Sequence, residues 1–177
     1  MTRGVRLCVS VLAVLVAGAL VSPALRQGVP AAEAATGARG DTLALHFRGI
    51  GNQQPAEEGR FQWSTDLYSL ATGEKVGTGT HNVSPPAPIM DHVMTFRLPD
   101  GDLVAHSKES VTPDPQHQGL FLIGIHTKEN NIVSEKGTGA YAGRTGRVTM
   151  SGWHDGNKFP EQVGFNDFYL IELDPKF

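Results

Sequence analysis

Seven histidines carry most of the reactive potential in this sequence: His46, His81, His92, His106, His117, His126 and His154. An imidazole exchanges protons near neutral pH and ligates divalent metals. Metal sites in small β proteins usually draw on local pairs spaced H-x-H or H-x-x-x-H, and no two of these histidines stand so close. The spacing predicts separate strand and loop imidazoles, with no metal and no cofactor. A site assembled from distant residues stays open on the ligand rules alone. His92 is the exception, because it shares a strand face with Met94 and Phe96, and a titratable ring on an apolar face needs a reason to be there. Serines and aspartates fall where turns place them, and no nucleophile elbow, acid pair or Ser/His/Asp spacing stands out.

The residues from Glu135 to Trp153 form the most punctuated stretch, with Gly137, Gly139, Gly143, Gly146 and Gly152 around Tyr141. Gly137-x-Gly139-x-x-x-Gly143 has the wrong spacing for a dinucleotide loop, and no helix follows to face a phosphate. A tight turn feeding a strand is the reading. Asn82-Val83-Ser84 fits a glycosylation sequon, but the Pro85 that follows removes its weight. Aromatics and methionines at alternate positions (Trp63, Phe96, Met150, Phe165, Tyr169) serve equally as core or as pocket wall. In a barrel of about eight strands those readings merge, because the interior is just wide enough to be filled or to hold one small ligand.

Positioning these residues falls to strands. Period-2 alternation and turn residues predict strands over Thr42 to Ile50, Phe61 to Leu70, Lys75 to Val83, Ile89 to Leu98 and Leu103 to Val111. A polar loop is expected from Gly51 to Gly59. Gly119 to Lys128 is a nearly continuous apolar run and reads as a central strand covered on both faces. Short strands at Ile132 to Glu135, Arg147 to Trp153 and Val163 to Leu173 complete the set. No window shows a sustained helical period. Eight or nine strands joined by hairpins predict an all-β fold, a closed antiparallel eight-stranded barrel, which also removes exposed edges.

The chain has 177 residues and a formal net charge of −3. Arg3 and Arg6 precede an apolar run from Leu7 to Val21, and small residues follow at Ser22-Pro23-Ala24 and Ala32-Glu33-Ala34. That is the pattern of a secretory signal over residues 1–34, its apolar run short of the about 20 residues of a membrane span. An uncleaved membrane anchor is the alternative. Residues 35–40 read as a leader and 41–177 as one domain. Loss of residues 1–34 removes three arginines and one glutamate and takes the net charge to −5. Cys8, the one cysteine, leaves with the signal, so the mature domain has neither disulfide nor thiolate ligand. No basic patch accompanies the aromatics, which argues against nucleic acid.

Three stretches together resemble the allene oxide cyclase and dirigent β-barrel superfamily. Leu67-Tyr68-Ser69 followed by Gly73-Glu74-Lys75-Val76-Gly77-Thr78 is similar to its strand–turn–strand. The run Gly137-Thr138-Gly139-Ala140-Tyr141-Ala142-Gly143-Arg144-Thr145-Gly146 resembles its glycine-rich loop, and Phe165 to Leu173 its closing strand. The resemblance implies an eight-stranded barrel, often a homo-oligomer such as a dimer or trimer, around an apolar cavity. Its members steer ring closure of reactive intermediates, including allene oxides, coupled radicals and, in bacterial spirotetronate cyclases, an intramolecular [4+2] cycloaddition. The first-strand carboxylate of allene oxide cyclases has no counterpart here, since Thr42 to Ile50 offers only His46 and Arg48. Allene oxide chemistry is therefore not expected.

The resulting expectation is a cofactor-free barrel enzyme that folds an apolar polyene or polyketide-like substrate and closes a ring. Trp63, Met94, Phe96 and Met150 are the expected walls, and His92 and Tyr169 the expected polarising donors. The competing expectations are a secreted, non-catalytic small-molecule binder and a structural protein with a filled barrel.

Overall fold

The structure, a computed structural model, describes residues 41–85 and 87–175. The signal and leader expected over residues 1–40 lie outside them. Eight strands follow in chain order: β1 (Thr42–Gln54), β2 (Phe61–Ser69), β3 (Lys75–Ser84), β4 (Ile89–Leu98), β5 (Gly101–Pro113), β6 (Leu120–Ile125), β7 (Gly146–Asp155) and β8 (Gln162–Leu173). Each pairs antiparallel with the next, and β8 pairs with β1 to close the barrel. No described helix is long and apolar enough to cross a membrane.

Alternation decides which side chains enter the lumen. In β4, His92, Met94 and Phe96 are buried while Arg97 is exposed; in β8, Val163, Phe165, Asp167, Tyr169, Ile171 and Leu173 are buried. Each fully buried Leu, Ile, Phe or Met contributes roughly 1.5–3 kcal/mol. The odd members of this set are Asp167 and His92.

Three elements depart from the sequence expectation. β1 does not end at Ile50 but runs on through Gly51 to Gln54, across a register shift between Arg48 and Asn52. Gly49 within that shift has φ +126°, a conformation open to glycine. β6 is not covered on both faces: Leu122 is 49% exposed, because a barrel strand has one face outside whatever its hydropathy. The strand expected at Ile132 to Glu135 reduces to one bridge, Ile132 to Ala105, before single 3-10 turns at Ser134–Lys136 and Gly139–Tyr141.

Those turns belong to the glycine-rich loop, which packs against the start of β5. Thr138 N–H donates to the Asp102 carbonyl at 2.9 Å and Ala140 N–H to that of Asp100 at 2.8 Å. Tyr141 is buried there. Above it Leu45, Leu67, Phe96, Leu103, Met150 and Ile171 fill the lumen. This half of the barrel is solid core.

Candidate functional site

The other half is hollow. A cavity of about 430 Å3, partly open to solvent, lies between the ends of β3, β5 and β7 and the starts of β4 and β8. Its walls are apolar: Trp63, Val83, Met90, Val111, Phe121 and Phe159. The Trp63 indole N–H donates to the Pro160 carbonyl at 2.9 Å, and its ring stacks on Phe61, 6.0 Å between centroids. These contacts fix one wall.

The floor is polar. His81 and His154 line the cavity from β3 and β7, their rings edge to face at 5.1 Å. Behind His81 stand His92 on β4 and Glu109 on β5. His92 Nε2 lies 3.1 Å from His81 Nδ1, and Glu109 Oε2 lies 3.4 Å from His81 Nε2 and 3.6 Å from His92 Nε2. Behind His154 stands Asp167 on β8, its Oδ2 2.9 Å from His154 Nε2. His92, Glu109 and Asp167 have no solvent exposure. Both Glu109 oxygens, Asp167 Oδ1 and His92 Nδ1 lack a hydrogen-bond partner among the described residues.

Five ionisable groups so close, with so little water, change one another's chemistry. Burial drives His81 well below the usual imidazole value, and the neighbouring His92 and His154 push it the same way. Burial also brings His92 down to about 3. It pushes the Glu109 carboxyl up to about 8. For His154, burial would lower the value, but the Asp167 carboxylate, with Glu109 beyond, leaves it raised. The floor thus holds one proton-poor imidazole and one proton-rich imidazole side by side. As metal donors, His81, Glu109 and His154 each offer one ligand atom, all within 4.8 Å of one another.

Of the expected walls, Trp63 lines the cavity; Met94, Phe96 and Met150 are buried in the core and are not among its lining residues. Of the expected donors, His92 supports the floor from behind His81 without lining the cavity. Tyr169 packs edge-on against Phe96 at 5.1 Å, its hydroxyl buried and without a hydrogen-bond partner among the described residues. It sits one inward position beyond Asp167 on β8, on the filled side.

The expectation of separate histidines fails for three of the seven. Residues far apart in sequence face one another across a lumen, and chain spacing does not measure that distance. Sequence reasoning missed His81, His154, Glu109 and Asp167. A signal for two of them was present. Asp167 interrupts the inward series Val163, Phe165, Tyr169, Ile171, and Glu109 shares its parity with Val111, Ala105 and Leu103.

No protein-family profile matches the sequence, and no curated protein is similar to it. Among solved structures, pyocyanin demethylase is similar at a TM-score of 0.37 and 19% identity, over 75% of this chain and 99% of that one. A likeness that loose carries no function across.

Proposed function

We propose that this chain is a member of the allene oxide cyclase and dirigent barrel superfamily, and an enzyme that closes a ring or shifts a double bond in an apolar small molecule. The observation that supports it is the composition of one cavity: apolar walls that end on two imidazoles, each backed by buried groups. An intramolecular ring closure needs those two things. Walls hold both ends of a flexible chain near attack distance, recovering several kcal/mol of the barrier. A preorganised donor or base then polarises a carbonyl or moves a proton, typically about 10²–10⁴-fold in rate. His154, kept proton-rich by Asp167, acts as the donor that polarises the carbonyl. A polyene or polyketide-like ketone is the substrate class. The signal pattern of residues 1–34 supports action outside the cytoplasm.

The test uses 2-tetralone, an apolar ketone with exchangeable α-hydrogens, in D2O with a chelator present. An active floor catalyses deuterium uptake by many equivalents of ketone, and His154→Asn removes at least nine-tenths of that rate. Binding without exchange would reduce the protein to a non-catalytic carrier. No binding would overturn the reading altogether.

A further inference from the structure

The buried carboxylate of Glu109 is the least explained group in the molecule. It has no solvent exposure, and neither oxygen has a hydrogen-bond partner among the described residues. An unpaired carboxylate in such a place is costly unless a proton or a cation joins it. Two imidazoles face it from separate strands, and both reach the cavity.

We propose that the cavity floor is a divalent transition-metal site, with His81, His154 and Glu109 as its three protein ligands and an open position toward the cavity. Around a tetrahedral ion with bonds of about 2.1 Å, ligand atoms lie about 3.4 Å apart. His81 Nε2 and Glu109 Oε2 already stand at 3.4 Å. The third ligand closes from within 4.8 Å, a shift small enough for side-chain rotation.

The surroundings have the form of a supporting shell. Ligating histidines characteristically carry a second hydrogen-bonding group that fixes ring orientation and tautomer. His92 holds His81 through Nδ1, which turns Nε2 toward Glu109. Asp167 holds His154 at 2.9 Å. Two nitrogens and one carboxylate suit zinc, cobalt, nickel or ferrous iron, and do not suit magnesium or calcium, which take oxygen ligands. An ion bound there would take the place of the His154 proton as the group that polarises a carbonyl. Three protein ligands with one open position is the arrangement of reactive sites, whereas structural sites close all four.

This inference rests on the reading of the cavity as the working site, but its test needs no turnover. Chelator-treated protein is titrated with Co2+, followed by the visible d–d absorption of the cobalt, and with Zn2+ by calorimetry. The expected result is one ion per chain with micromolar or tighter affinity. Glu109→Gln and His154→Asn each weaken it at least 30-fold, Asp167→Asn weakens it about 10–100-fold through the supporting shell, and the surface variant His117→Asn leaves it unchanged. Thermal unfolding of the metal-free variants identifies any that fail to fold, and for those Glu109→Asp serves in place of Glu109→Gln. Absence of binding tighter than millimolar, or binding that Glu109→Gln and His154→Asn do not weaken, would overturn the metal site. 1-Naphthol binding on the same samples separates the two readings. Naphthol bound without metal removes the metal site alone, and neither bound removes the cavity as well.

Discussion

Val111→Phe distinguishes a working hollow from a packed wall, because the two predict opposite signs. Val111 lies on the cavity wall and is nearly buried. If the space beside it is empty, a phenyl ring fills part of it and stabilises the fold by about 0.5–2 kcal/mol, as cavity-filling substitutions do. If the wall is already packed, the same ring strains its neighbours and costs about 1–3 kcal/mol. Ligand binding gives a second reading. An apolar cavity of about 150 Å3 takes benzene, and this one, at about 430 Å3, has room for two fused rings. For 1-naphthol, about 11 heavy atoms at roughly 0.5 kcal/mol each give about 5.5 kcal/mol, a Kd on the order of 0.1 mM. Val111→Phe takes the space of about one ring and weakens that affinity at least ten-fold, or about 1.4 kcal/mol. Urea unfolding and isothermal titration calorimetry measure the two effects. A stability loss of about 1 kcal/mol or more, or an unchanged naphthol affinity, refutes the reasoning.

Gly152→Ala places a Cβ 2.5 Å from the Asn166 carbonyl oxygen and 2.7 Å from Asp167 Cα; backbone cannot yield cheaply, so urea unfolding should show a loss of about 1–3 kcal/mol. Tyr169→Phe deletes a buried hydroxyl without a hydrogen-bond partner among the described residues and raises stability by about 1 kcal/mol; a loss of similar size would mean that the hydroxyl is bonded. Burial would raise the Asp91 carboxyl, but His106, Lys108 and Arg60 bonded to it hold it well below its ordinary value. A depressed carboxyl contributes stability that is fully present above about pH 4 and is lost as pH falls through its depressed folded value, so Asp91→Asn costs roughly 1 kcal/mol at pH 7 and progressively less as pH falls below about 4. Intact mass of protein recovered from an exporting host should correspond to a chain beginning near Ala35; a full-length mass would favour the anchor.

Strand order and closure were legible because most strands alternate and most turns announce themselves; the apolar run of β6 and the strand expected at Ile132 to Glu135 are the exceptions. Ile89–Leu98 matches its expected bounds to the residue, and the inward face His92, Met94, Phe96 was read from period two alone. The site was not legible for two physical reasons. A lumen joins residues by parity and height on different strands, and neither quantity appears as a spacing along one chain. His81 lies opposite Met94 in the β3–β4 register and His154 opposite Phe165 in β7–β8, pairings that only closure brings to one level. The second reason is that aromatic residues look alike in core and wall. Trp63 and Phe96 both occupy buried inward positions, yet one borders the cavity and the other fills the opposite half, and the difference is only how far along the strand each stands.

The filled half explains why the hollow half can hold its polar groups in fixed positions. Gly79 points inward, and a Cβ there would meet the Met94 methyl at 2.5 Å and the Phe47 ring at 2.7 Å. Its missing side chain lets Phe47 cross the lumen, where it stacks on His81 at 6.4 Å and meets Phe165 edge-on at 4.9 Å. Phe165 in turn packs edge-on against His154 at 4.7 Å. Each imidazole of the floor therefore rests on a ring of the core and is bonded from behind by His92 or Asp167. Side chains locked by packing and hydrogen bonds do not reorganise when charge develops beside them, and that fixed orientation is the larger part of what an electrostatic site supplies. A barrel hollow from end to end would offer the same histidines on mobile side chains in water, where their mutual shifts in proton affinity would largely vanish. The plug is thus a working part of the site that stands above it.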